Sequence, residues 1–599
     1  MNLGVDLGST YSSFSTYDIV NKNVELCKPV MSEPEAIPSI ACLNDDGKML
    51  TGYTARKYIQ LDDPSARTFS AFKMLLTESN EKLLQERGFG TDYTPSAVAE
   101  TFLRDQVNKI LSSHADPGVD NLVICAPEVW TTQSAVRRGQ LDGRTILRDI
   151  CSRIPGVDRD RIRIVSEPAA ASAYFAYQYR RAVGSNFNGC LLIVDYGGGT
   201  LDLTLTEVHP QDASVEIKVL FRTGAGENVQ GRTGNAGIAY MEHAVHLALE
   251  EGGCDPAELL PCRPEFRKAV DVLEDRLMEQ ISPNTPDQAG SMGEDYRKLW
   301  DTVDECGADL SDLLNNDETF AAIRYGGKRY PVTYAHLMRA YRAVVEPELG
   351  KCLQETADWM RAHRYDYKNP NTDAFHIVLV GGFGKFLLVQ KQVEWFFHRP
   401  NTGDRRFQHG LGQDREYAVS KGAALLASGV MTIRRTAPFG IGIYSEADDR
   451  LHYAIMFRQE FKPGQEHWIR VGGPDTPPVK FVNSENTIPQ LLIGSDENPQ
   501  AGTILPLLPA MCQRITRAYA QMDEYYRTRF PGHYPIPLHN IGFSMDESEV
   551  VSLLLRSVDM NGKPLLTLPP ALKSNPIIEG TLMFHTTFQQ YSPYTRYRG

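Results

Sequence analysis

Two stretches of this chain share one pattern: GVDLGSTYSSF at residues 4–14 and LLIVDYGGGTLDLTLTEV at 191–208. In each, a strand-like run delivers an aspartate, then glycine, then a hydroxyl, then a second strand. A carboxylate beside a glycine turn at a strand end is how a backbone prepares to hold phosphate and metal. Either stretch alone is also readable as an ordinary hairpin with turn residues, since short glycine motifs match often by accident. The repetition about 190 residues apart constrains the fold far more, because it predicts two similar lobes facing one ligand.

At 599 residues the chain exceeds what one core can organise, and its length suggests about three or four folding units. The net charge of −13 arises from 75 acidic and 62 basic residues spread along the sequence, which argues against nucleic acid or an anionic membrane surface as the main partner. No apolar run approaches the ~20 residues of a membrane span, and Asp6 interrupts any secretion-signal pattern, so the expected location is the cytoplasm. Ten cysteines are scattered without a CxxC pair, which indicates neither a zinc site nor a disulfide framework. Cys125 and Cys190 are expected to pack beside strands.

From residue 1 to about 430, strand-like and helical runs alternate, the signature of layered α/β architecture. TPSAVAETFLRDQVNKILSSHA, at 94–115, spaces its apolar residues as a helix does and opens on Thr94 and Pro95; a strand, NLVICAP, follows at 121–127. Four apolar residues before Asp195 predict a strand buried on both faces. Residues of about 234–370 are richer in helix and read as an outer subdomain, with SPNTPDQAGSMGEDY at 282–296 as a loop. Beyond about 435 lie 17 of the 36 prolines and short alternating runs such as GIGIY, LHYAIMF and VVSLLLRSV, so that part should be mostly β. One helix, AMCQRITRAYAQMDEYYRTRF, interrupts it; its spaced aromatics (Tyr519, Tyr525, Tyr526, Phe530) fit an element packed on a sheet, or a partner-binding face.

Five segments together resemble the ATPase domain of the actin, sugar-kinase and heat-shock-70 (DnaK-type) chaperone superfamily, most closely its chaperone branch. They are GVDLGSTYSSF and LLIVDYGGGTLDL (phosphate), VSEPAAASAYF and YAVSKGAALLA (connecting helices) and IVLVGGFGKF (adenosine). The resemblance implies a two-lobed actin-like ATPase with ribonuclease H-like duplicated lobes, lobe I over 1–188 and lobe II over 189–430, followed by a smaller mostly-β domain over 435–599. It implies ATP or ADP with Mg2+ as ligands, slow hydrolysis to ADP and phosphate, a protein or peptide client, and a possible co-chaperone or exchange factor.

The chemistry of each segment can also be stated from its residues. ATP carries about four negative charges, and glycines let backbone amides approach them where side chains would collide. Gly8, Gly197, Gly198 and Gly199 suit that role, and Ser9, Thr10 and Thr200 add hydroxyl donors. Asp6 and Asp195 are too negative to face phosphate without a cation between them, which magnesium would supply. Glu167 occupies the position of a family carboxylate near the attacking water and metal; by itself it is a helix-start acid favoured by the macrodipole. Lys73, in ARTFSAFKMLLTE, occupies that of the catalytic lysine, which would neutralise charge on the transferring phosphoryl group; taken alone it is a solvated lysine. Asp202 could orient the nucleophilic water or serve a structural turn. Gly381, Gly382 and Gly384 would let a loop lie flat against the nucleoside, or form a plain strand-to-helix turn.

Several positions depart from the family. The adenosine loop reads GGFGK, so Phe383 stands for a serine and Lys385 for an arginine, a form similar to an atypical branch. In VDVLEDRLMEQIS no alignment restores the two basic residues that usually meet the adenosine, and Glu416 stands for an aspartate. The tail resembles a peptide-binding β-sandwich with a late turn at Asn561 and Gly562. Only 37 residues follow Gly562, too few for a long helical lid, and MTIRRTAP lacks the leucine-rich acidic linker. The alternative expectation is a nucleotide-dependent assembly or interaction module without refolding activity; a small-molecule kinase is disfavoured by the Lys73 and Glu167 pairing.

Overall fold

The computed structural model describes residues 1–62, 66–78, 80–114, 118–130, 143–211, 214–226, 236–261, 263–281, 317–398, 404–434, 437, 440–445, 450–457, 459–471, 475–482, 490–494, 503–505, 509–529, 538–546, 551–564, 577–578 and 581–585. The loop expected at 282–296, Cys262, Cys306 and Phe530 lie outside the described residues. Two compact units emerge, Met1–Val129 with Ile146–Ile433, and Trp130–Thr145 with Arg434–Gly599.

Within the first unit the duplication read from the sequence is a duplication of topology. The strand Asn2–Asp6 turns back antiparallel into Tyr11–Asp18, which pairs with Asn23–Leu26, while its other edge runs parallel to Asn121–Ala126 and then Ile162–Ser166. The strand Gly189–Tyr196 does the same, antiparallel to Leu201–Gln211 and on to Ser214–Ala225, with Phe375–Val380 parallel on the opposite edge. The first central strand ends at Asp6 and the second one residue past Asp195, at Tyr196. In register, Asp6 stands opposite Ser13 and Asp195 opposite Asp202.

Both central strands are buried on their two faces, as runs such as Cys190–Val194 require when helices cover a mixed sheet. Pro95–Ser113 is a helix as expected, with the Thr94 hydroxyl accepting from the Ala97 amide at 3.2 Å and Pro95 in the first turn. Cys125 and Cys190 are buried within strands of the two sheets. Among the described residues eight cysteines carry free thiols.

Two helices join the lobes, Glu167–Val183 and Ala418–Ala427. Their alanine-rich faces cross on Ala170 and Gly422 inside one apolar cluster that also takes Val123 from the first sheet and Leu191, Ile193 and Val378 from the second. Ser13 donates to the Ser420 hydroxyl at 2.9 Å, fixing the first hairpin to the second connecting helix.

Between Ser214–Ala225 and Phe375–Val380 lie several helices, among them Gly237–Glu251, Pro264–Ile281 and Glu346–Ala362. It also holds an antiparallel hairpin, Thr319–Tyr325 with Lys328–Thr333, which helical periodicity does not reveal. Its turn is formed by Gly326 and Gly327 at φ +55° and +75°.

The second unit contains two antiparallel sheets. One orders Arg450–Ile455, Gly440–Ser445, Gln490–Gly494 and Thr503–Leu505; the other is built on Leu538–Met545 and Val551–Val558. Their inward residues, including Ile441, Ile443, Phe543 and Leu553, form one core, and the helix Pro509–Arg529 adds Ile515, Tyr519 and Met522 to it. The expected turn at Asn561 and Gly562 is present, with Gly562 at φ +82° and its amide donating to the Asp559 carbonyl. Among the described residues no helix is long and apolar enough to cross a membrane.

Candidate functional site

The two hairpin turns face each other across a cleft of the first unit with a cavity volume of about 190 Å³. The approach is close. A Cβ on Gly198 would stand 2.1 Å from the Thr10 hydroxyl oxygen, and one on Gly199 2.3 Å from that of Ser9, so any side chain there would force the lobes apart. Gly381 sits at φ +79°, where a Cβ would come within 2.6 Å of Asp195 Oδ1; only glycine reconciles that backbone with the carboxylate beside it.

Four charged groups converge at the floor. Asp6 and Asp195 come from the two strand ends, Glu167 from the first turn of a connecting helix, and Lys73 from a short helix, Phe72–Leu75. The Lys73 ammonium donates to the Glu167 carboxylate inside the protein, and both side chains are nearly inaccessible to solvent. Burial opposes the charge of Lys73, but Glu167, Asp6 and Asp195 outweigh it and raise its pKa above the ordinary lysine value. Burial pushes Asp6 up to about 7 against the pull of Lys73, and Glu167 adds to the rise. Burial first, then Glu167 and Asp6, lift Asp195 well above the usual carboxylate range.

Such a site is short of positive charge. Among the described residues lining the cleft, Lys73 is the one cation, set against Asp6, Glu167, Asp195, Glu274 and Glu416. Asp195 Oδ2 and Thr10 Oγ1 are buried with no hydrogen-bond partner in the protein. An orphaned carboxylate oxygen and an orphaned hydroxyl on opposite hairpins fit a bridging cation and an anion. No group of three or more His, Cys, Asp or Glu side chains among the described residues is arranged to enclose a metal. Asp6 and Asp195, one carboxylate from each hairpin, make a donor set of the kind magnesium takes when it keeps several waters and meets phosphate.

Of the residues singled out in the sequence, Asp6, Gly8, Ser9, Thr10, Lys73, Glu167, Asp195, Gly197 to Thr200, Gly381 and Gly382 all line this cleft. Gly384 and Lys385 lie beyond the lining, in the turn Phe383–Lys385, and the Lys385 ammonium pairs with Glu416 Oε2 at 3.1 Å. Asp202 is fully buried, cross-strand from Asp195, and is not part of the lining.

The far wall was not legible as a site. Gly237 and Met241 come from one helix and Glu274 and Leu277 from another, the latter pair three residues apart on one helical face. Ala36 and Tyr417 also line the cleft. Their spacing is that of ordinary core packing, so only the helix placement makes them a wall.

The outer parts of the lobes are tied across this cleft. Arg87 donates to both oxygens of Glu242 at 2.6 and 2.9 Å, and Arg56 donates to Asp275 at 2.6 Å and to the Tyr11 hydroxyl at 2.7 Å.

No protein-family model matches the chain. Its curated relatives include proteins named Chaperone protein DnaK: from Methanothermobacter thermautotrophicus, 24% identical over 406 residues, or 66% of this chain and 56% of the relative; and from Thermoplasma volcanium, 27% identical over 428 residues, or 71% and 57%. A third, from Thermotoga neapolitana, is 23% identical over 433 residues, covering 71% and 59%. The chain is a distant relative of the DnaK (Hsp70-type) chaperones. The matched region spans little more than half the length of these relatives. A mixed α/β unit followed by a β-rich part agrees with that kinship.

Proposed function

We propose that the chain is a chaperone-like protein that binds ATP with magnesium, hydrolyses it slowly and uses the nucleotide-driven movement of two lobes to alter protein binding by its β-rich unit. The observation that carries this reading is the opposition of two glycine hairpins across one cleft, with Thr10 against Gly198 and Ser9 against Gly199. Backbone amides and hydroxyls from both lobes converge there, so a triphosphate held between them favours the closed arrangement of the lobes.

Asp6 and Asp195 would hold magnesium, which when bound supplies positive charge to phosphate oxygens. Ser9, Thr10 and Thr200 would donate to the phosphates, and Lys73 would stabilise charge gathering on the terminal one. Glu167, fixed by Lys73, would accept a hydrogen bond from the attacking water and hold it in line. An acidic cleft with one lysine suits a slow switch better than a rapid phosphotransferase. The client would meet the second unit, and the free thiols of the described cysteines are compatible with work in the cytoplasm.

The test is calorimetric titration of the full chain with MgATP, phosphate release under single turnover, and binding of an unfolded-peptide panel with and without ATP. Nucleotide binding with slow hydrolysis and an ATP-dependent change in peptide affinity are expected. Nucleotide binding accompanied by ATP-dependent self-association and no peptide binding would replace this reading with that of an assembly module.

A further inference from the structure

Next to the second hairpin the cleft has an unusual wall for a site that must recognise a heterocycle. Phe383, Met241 and Leu277 provide its apolar surface. Phe383 is held rigidly there, edge-on to Tyr196 at 5.2 Å between centroids, stacked on Phe386 at 5.1 Å and tilted against Tyr240 at 5.3 Å. Beside it the backbone is bare: a Cβ on Gly382 would meet nothing within 4 Å, and one on Gly237 would stand 3.1 Å from Phe383 Cγ.

Among the described residues the charged side chains of this region pair with one another. Glu416 is paired with Lys385, and burial, then the neighbouring Glu416 charge, raise the pKa of the Tyr417 hydroxyl. Glu274 lies 3.9 Å from Arg267, whose guanidinium also binds Asp271 at 2.9 Å. The hydroxyls that line the cleft, apart from Tyr417, belong to the hairpins and the strand after the first of them. Discrimination between bases requires donors and acceptors placed against a base edge, whose loss leaves buried polar groups unpaired; apolar walls separate ligands of similar shape only weakly.

We propose that this cleft is selective for the triphosphate and its metal but nearly indifferent to the base, accepting purine nucleoside triphosphates alike, with a base held by contact against Phe383, Met241 and Leu277. The inference rests on the nucleotide reading above and names its substrate class. Affinity then resides in the hairpins, and the base contributes buried area without an edge-specific signal. Pyrimidines bury less surface and should bind somewhat more weakly.

The experiment is calorimetric titration of the full chain, with magnesium present, against ATP, GTP, CTP and inorganic tripolyphosphate. ATP and GTP are expected to agree within about fivefold, with CTP at most about tenfold weaker and tripolyphosphate still bound. ATP tighter than GTP by more than about fiftyfold would overturn the inference and leave the nucleotide reading standing. No binding by any triphosphate would sink both. Phe383→Ser provides a second readout, with tripolyphosphate binding as its folding control. It should weaken ATP and GTP by the same factor. A loss confined to one base would show that an edge is being read, against the proposal.

Discussion

Gly422 lies so close to Ala170 that a Cβ on the glycine would stand 1.8 Å from the alanine carbonyl oxygen. Two connecting helices therefore touch backbone to backbone where they cross. Gly422→Ala must separate them, and overpacking against backbone sits at the upper end of the usual cost, about 3 kcal/mol. A lower melting temperature and weaker nucleotide binding are expected; unchanged melting would mean the helices are free to part.

The Lys73 and Glu167 pair offers a separation of stability from chemistry. Lys73→Ala leaves Glu167 buried with Asp6 and Asp195 in a cleft without another lining cation among the described residues, and breaking a buried pair costs about 3–5 kcal/mol. Glu167→Gln on that background removes the stranded charge. The double variant should therefore melt above Lys73→Ala while hydrolysing no faster. Thermal denaturation and single-turnover phosphate release measure the two effects; a double variant that regained hydrolysis would remove both residues from the mechanism.

On the proposed function, a proton and magnesium would compete for Asp6. Its pKa is raised from 3.8 to about 7, so the folded protein binds this proton more tightly than the unfolded chain does. The resulting stability is fully present below about pH 4 and is lost as pH rises through 7. The metal-free protein should thus lose stability across that window through this residue, and Asp6→Asn should flatten the slope. Magnesium affinity should climb over the same interval as the carboxylate sheds its proton, a trend readable by calorimetry. A pH-independent affinity between 6 and 8 would contradict it.

In the second unit His539 is fully buried, its Nε2 3.0 Å from the Tyr519 hydroxyl, and burial drives its pKa down to about 3. Here the unfolded chain binds the proton more tightly. Stability present above 6.5 is lost as pH falls from there toward 3, by about 1.4 kcal/mol per unit. Unfolding of this unit, followed by fluorescence, should shift to lower temperature between pH 7 and 5. His539→Phe should reduce the shift, leaving the part from His467, whose pKa burial also lowers, while costing about 1 kcal/mol at neutral pH for the unpaired Tyr519 hydroxyl.

Much of this could be read along the chain, and the exceptions have a common cause. Asp6, Gly8 to Thr10, Asp195 and Gly197 to Thr200 announce themselves because local backbone geometry and local chemistry coincide at a strand end. Thr94 and Pro95 mark a helix start for the same reason. The hairpin at 319–333 is not legible in the sequence, since its alternation is short and flanked by helical runs. Met241, Glu274 and Leu277 carry no signal either, because a residue lining a cleft from a helix face has the same spacing as one lining a core.

Sequence alone determined the duplicated lobes, the glycine turns and the carboxylates at their strand ends, because each depends on residues within a few positions of one another. Only the tertiary structure decided that the Lys73 ammonium donates to Glu167, that Lys385 is drawn to Glu416, and that Phe383 lines the cleft. Those pairings join segments far apart in the chain, and electrostatic partnership and packing depend on distance in space, which local patterning does not encode.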